Sequence, residues 1–156
     1  MSVVAFPAGA EAVELQALVT AVFELHALIT LDPVLGASPV RAYFVLNPVA
    51  KEKIAECIAD AGRDALRGPY AYVVVAYDFP FALHQLTLSG KGIAEERAKA
   101  IVSASAAVQE PAFRAAAEAL NLVARSIPSF DSAALKAVFF PTTQETVTHV
   151  LRLSLL

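Results

Sequence analysis

The residues able to do acid–base, nucleophilic or ligand chemistry are few and scattered. The chain has three histidines, His26, His84 and His149, and none has a second ligand at a metal-like spacing. They are expected at the surface or partly buried, and no metal site is expected. The lone cysteine, Cys57, excludes an intrachain disulfide and a cysteine-only zinc site. It falls on the apolar stripe of a helix and has no base beside it, so packing rather than nucleophilic chemistry is expected of it. Asp78 follows directly on a strand-like run, a place where α/β proteins often put function, and precedes Pro80, so capping the turn is expected of it ahead of a functional role. Ser89, Gly90, Lys91 and Gly92 make a small glycine-rich loop with a cation, but without the full spacing of a phosphate-binding loop. No catalytic triad or carboxylate pair assembles from these residues.

The elements that must position them are more legible. Tyr70 to Tyr77 (YAYVVVAY) is rich in β-branched and aromatic residues and predicts a buried strand. Val40 to Leu46 predicts a second strand. Asn47 followed by Pro48 then reads as an N-cap and a first-turn proline, opening a helix expected to reach Gly62. Glu11 to Leu31 has no Gly or Pro and is apolar around most of its circumference, which predicts a central or dimer-facing helix. The segment DPVLGASP reads as a loop. Leu83 to Ile93 reads as irregular. An Ala-rich helical region runs from Ala94 to about Leu120, with Pro111 either interrupting it or starting a second helix. A loop and a short helix capped by Asp131 or Ser132 follow. Glu145 to Leu156 alternates as a final strand, with Val147, His149, Leu151, Leu153 and Leu155 on one face. The expected order is α-β-α-β-α-α-α-β, an α+β sandwich with helices around a small mixed sheet.

Composition bounds the function. At 156 residues the chain fits one domain spanning 1–156. It is 57% hydrophobic and only 17% charged, so part of its apolar surface is expected to be covered by a second copy. A net charge of −3 gives no reason to expect a nucleic-acid partner. Glu14, Glu24 and His26 interrupt the first apolar stretch, and no Lys or Arg precedes Arg41, so neither a membrane span nor a signal peptide is expected. The expected localisation is cytoplasmic.

Three segments also carry a resemblance. SPVRAYFVLNPVAKEKI (Ser38 to Ile54) resembles the Pro-x-Arg-Phe-x-Phe-Val strand and following helix of flavin-dependent nitroreductases. GPYAYVVVAYDFPF (Gly68 to Phe81) is similar to the same family's Ala-Pro-Val-x-Val-x-Val-Ala-Tyr-Asp strand. ALNLVARSIPSFDSAALKAVFF (Ala119 to Phe140) is similar to its Ala-Leu-Gly-Leu-x-x-Gly-Pro-Met-Ser-Gly-Phe-Asp segment. The branch most resembled contains the malonic semialdehyde reductases. The resemblance implies a homodimer, FMN at the subunit interface, and hydride transfer from NADH or NADPH to a small electrophile such as a nitro compound, quinone, enone or aldehyde.

Matching the family's motifs residue by residue places the implied cofactor contacts on Ser38, Pro39, Arg41, Gln109 and Arg125, with no catalytic residue assigned. The match breaks at the flavin phosphate. The family's N-terminal arginines have no counterpart, its Pro-Thr-Ser-x-Asn loop corresponds to DPVLGASP, and its Gly-Pro pair falls on Arg125 and Ser126. Each lost charge-assisted contact is worth about 1.5–3 kcal/mol, so two losses weaken FMN by at least roughly a hundredfold. Two functions are therefore expected as alternatives: a dimeric scaffold or binding module with a degraded FMN site, or an FMN-dependent NAD(P)H oxidoreductase.

Overall fold

A computed structural model describes residues 10–32, 39–60, 62, 66, 68–88, 94–139, 141 and 143–156. Ser38 and the glycine-rich loop around Lys91 lie outside the described residues. Ten elements follow one another: α1 (Ala10–Leu31), β1 (Val40–Val45), α2 (Pro48–Ala55), β2 (Tyr70–Tyr77), α3 (Phe79–Leu88), α4 (Glu95–Ala107), α5 (Gln109–Ala119), β3 (Leu122–Ser126), α6 (Ser132–Phe139) and β4 (Thr146–Leu155). The strands form one sheet in the order β1-β2-β4-β3, and every pairing is antiparallel rather than mixed. The architecture is α+β, with helices on both faces of the sheet.

β2 lies inside the sheet, and seven of its eight residues are buried. That is why its sequence is a continuous apolar run instead of an alternating one. Ala71, Val73 and Val75 point to one face, where Leu151 and Leu153 of β4 and Leu122 of β3 join them. α1 closes this layer with Leu18, Ala21, Val22, Leu25 and Ile29, spaced at helical intervals, and α5 with Phe113 and Ala117. Tyr72, Val74 and Ala76 point to the opposite face, against Ile54 of α2 and Leu135 of α6. A third, smaller cluster joins Tyr77 to Ala82 of α3 and to Val102 and Ala106 of α4. α1 is long and apolar enough to cross a membrane by length and composition. One stripe of it lies on the sheet, while Val13, Phe23 and Leu31 stay more than two-thirds exposed.

Several boundaries have local causes. The Asn47 side chain accepts from the backbone N–H of Val49 (2.8 Å) and Ala50 (3.3 Å), and Pro48 opens α2 where no N–H is needed. α2 stops at Ala55, well short of Gly62. The segment after it is stitched instead to the loop before α6, by Ala59 N–H to the Ser129 carbonyl (2.9 Å) and Asp131 N–H to the Cys57 carbonyl (2.7 Å). Asp131 then caps α6 through the Ala134 N–H (3.0 Å).

α3 occupies much of the stretch expected to be irregular, because Asp78 accepts from the Phe81 N–H (3.0 Å) and caps it. The Ala-rich region divides at Val108, placing Pro111 in the first turn of α5, where a proline is tolerated. β3 is an addition to the expected order. Asn121 sits at φ 61°, a left-handed position that few side chains besides Gly, Asn and Asp adopt, and it turns the chain from α5 straight into β3. The alternation in β4 breaks at a bulge opposite Val75 and Ala76, so Val147 joins the α2/α6 face while Leu151 and Leu153 stay on the α1/α5 face.

Candidate functional site

At the C-terminal end of β2 the start of β1, α3 and α4 leave a cleft of about 280 Å³ lined by Pro39, Tyr77, Gln85, Ile101, Val102 and Ser105 among others. Its placement follows from the local chemistry just described. The Asp78 N–H donates to the Pro39 carbonyl (2.7 Å), which ties β1 to the end of β2, and the Asp78 cap turns α3 away from the sheet. Tyr77 donates its hydroxyl to Ser105 Oγ (3.1 Å). The Gln109 Nε2 donates to the Ser105 carbonyl (3.1 Å) across the α4–α5 junction, and its Oε1 is buried without a partner. The lining residues include no Lys, Arg, Asp or Glu. An apolar cleft with one hydroxyl pair, near the lower end of ligand-pocket volumes, suits a small and largely apolar molecule.

Pro39 and Gln109 are thus brought into one neighbourhood through Tyr77 and Ser105. The two cations are not. Arg41 lies on β1 with its side chain on the α2/α6 side, and its Nε is paired at 2.7 Å with Oε1 of Glu145, a carboxylate that is almost fully buried. Arg125 lies on β3, in register with Arg152 of β4. From β1 to β3 is three strand spacings, roughly 14 Å. Through the ladders Arg41 corresponds to Val147 of β4 and Arg125 to Arg152, an offset of five residues or about 17 Å along the sheet. The two side chains therefore cannot hold the same phosphate within one chain. Arg152 is no substitute: it is buried, and its Nη1 is committed to Oδ1 of Asp60. Among the described residues of one chain, Arg41, Arg125 and Arg152 therefore do not converge on one anion site.

The remaining reactive groups have structural partners. Cys57 lies beyond the end of α2 and hydrogen-bonds the Lys53 carbonyl (3.4 Å), and burial beside Asp131 and Glu56 pushes its thiol pKa up, against thiolate chemistry. His26 packs edge-on to Phe44, with ring centroids 5.9 Å apart, and His84 is exposed on α3. Among the described residues no group of three or more His, Cys, Asp or Glu side chains is placed to hold a metal.

Sequence reasoning missed two polar clusters. One joins Tyr72, Asp60 and Arg152. The other joins Glu110 and Arg114 of α5 to Ser126 of β3, near His149. Glu110 and Arg114 stand four apart on one helix, which was the available signal, but their meeting with Ser126 depends on β3.

No family model matches the chain, and no curated protein matches it. Solved structures do. A Staphylococcus epidermidis protein described as an NAD(P)H:FMN oxidoreductase superposes with a TM-score of 0.61 at 15% identity, covering 87% of this chain and 76% of the other. A nitroreductase family protein from Clostridium novyi gives 0.60 at 13% identity, covering 87% and 72%. The Lactococcus lactis nitroreductase CinD, in complex with nicotinic acid, gives 0.52 at 14% identity, covering 87% and 77%. The α+β sandwich of this chain is the nitroreductase-type fold.

Proposed function

We propose that the chain is a nitroreductase-type scaffold that works as a homodimer and binds a small molecule, with weak or no flavin chemistry. The observation that carries this reading is the separation of the two cations among the implied cofactor contacts, Arg41 and Arg125, to opposite edges of one sheet, with Arg41 already paired to Glu145. The dimer is supported by α1, which leaves Val13, Phe23 and Leu31 at 68%, 69% and 81% exposure along the side turned away from the sheet. A soluble, cytoplasmic chain without nucleic-acid or membrane partners agrees with the composition. The segments from Ser38 to Ile54 and from Ala119 to Phe140 favour the branch resembling malonic semialdehyde reductases.

The second reading is an FMN-dependent NAD(P)H oxidoreductase whose site is completed by the partner chain. It is favoured by the similarity to the Staphylococcus epidermidis structure and by CinD, which has been crystallised with nicotinic acid and with 4-nitrophenol. The purified chain, incubated with excess FMN and passed through a size-exclusion column, separates the two. The scaffold reading expects a colourless peak at the mass of a dimer. Flavin absorbance co-eluting at close to one per chain establishes the second reading instead, and a monomeric peak removes the dimer.

A further inference from the structure

His149 is the histidine that the sheet turns inward. It follows the bulge in β4, pairs with Val75 of β2, and lies on the α1/α5 side two residues from buried Leu151. The bulge residue before it, Thr148, donates its hydroxyl to the Val75 carbonyl (3.3 Å), which fixes the backbone at this point. Against this face α5 brings Glu110 and Arg114, paired with each other at 2.8 Å. β3 brings Ser126, which donates to Oε1 of Glu110 and accepts from Nη2 of Arg114. β2 contributes Val75, which has no charge. Two polar atoms of the cluster are buried without a hydrogen-bond partner: Nδ1 of His149 and Nε of Arg114.

A neutral imidazole tolerates that environment, because one of its nitrogens need not donate. An imidazolium carries a donor on both nitrogens, and Nδ1–H then needs an acceptor; the carboxylate of the cluster, Glu110, already holds Ser126 and Arg114 on Oε1. That carboxylate acts electrostatically on the His149 ring, and a turn of it toward a charged ring draws Oε1 away from Ser126 and Arg114. That network is what ties the first turn of α5 to the β3 edge.

We propose that His149 makes the seating of α5 and the β3 edge on the sheet sensitive to acid, through competition between its protonated ring and Ser126 for the Glu110 carboxylate. The balance of forces agrees. Burial lowers the His149 pKa from its ordinary value and outweighs the opposing pull of Glu110. A histidine whose pKa is depressed in the folded state resists protonation there, while the unfolded chain takes the proton readily. Folding stability is therefore full above the unfolded pKa, near 6.5, and falls as the pH drops below it toward the folded value. For each unit by which the titration is displaced, the folded-to-unfolded ratio falls up to about tenfold.

The test compares urea unfolding at pH 7.5 and pH 5 for the native chain and for His149→Gln, with hydrogen exchange of the β3 amides as the local readout. The native chain is expected to lose stability at pH 5 and to exchange faster at Val123 to Ser126, whereas His149→Gln loses most of that extra acid sensitivity. Equal sensitivity in both proteins overturns the proposal. If the variant does not fold, the His149 ring proton is followed by NMR titration of the native chain. A midpoint below that of the same chain unfolded in urea supports the proposal, and a midpoint at or above it overturns it.

Discussion

Replacing Arg152 by methionine removes one half of a buried ion pair and leaves the other half in place. The Arg152 and Asp60 side chains are 6% and 4% exposed, and the Tyr72 hydroxyl also donates to Asp60, at 2.9 Å. Stranding a carboxylate in this setting costs about 3–5 kcal/mol, against a total stability of about 5–15 kcal/mol for a domain. At roughly 2–4 °C per kcal/mol for a chain of this size, the melting temperature falls by about 6–20 °C. The double variant Arg152→Met/Asp60→Leu removes both charges together and strands neither, so it recovers most of the loss. Urea denaturation followed by circular dichroism on both single variants and the double variant closes a double-mutant cycle. A single variant that loses less than about 1 kcal/mol, the range of an exposed pair, refutes the reasoning. So does a double variant that merely adds the two single losses.

The same guanidinium limits its neighbours. A Cβ at Gly62 meets Nη2 and Nη1 of Arg152 at 3.1 and 3.2 Å, and the Asp60 pairing holds that group in place. Gly62→Ala is therefore expected to cost about 1–3 kcal/mol in urea unfolding, whereas the same substitution in the Arg152→Met background costs much less. On α1 the two faces give opposite results. Leu25→Ala, at a fully buried position, lowers stability by about 2–5 kcal/mol, while Phe23→Ser leaves the fold intact and shifts sedimentation from dimer to monomer.

The parts of the fold legible in the sequence were those whose cause is local. The Tyr70–Tyr77 run marks a strand covered on both faces, Asn47-Pro48 marks a helix start, and Asp131 marks another. β3 was missed because Leu122–Ser126 is short and follows an Ala-rich helix with no Gly or Pro between them. Its one signal is Asn121, an asparagine able to take a positive φ at a helix end. The extension of α2 to Gly62 failed because pairing of residues 57–59 with the loop before α6 outcompeted helix propagation, and such pairing is not encoded in a helical window.

The face assigned to Val147 was wrong for a similar reason. A bulge is set by the partner strand, and strict alternation does not show it. The candidate site was the least legible. Motif matching put Pro39, Arg41, Gln109 and Arg125 in one list, but a linear match carries no information about sheet face or edge. Strand order and register are what part Arg41 and Arg125.

The most direct test of the central claim is an equilibrium titration of FMN fluorescence against the purified chain, repeated at two ionic strengths. Weak or absent quenching, with a dissociation constant at least roughly a hundredfold above that of a structurally similar flavin enzyme measured alongside, is the result expected when two charge-assisted phosphate contacts are missing. Tight, salt-sensitive quenching that saturates at one FMN per chain contradicts the account, and loss of that binding in Arg41→Ala or Arg125→Ala would identify which cation the partner chain brings to the phosphate.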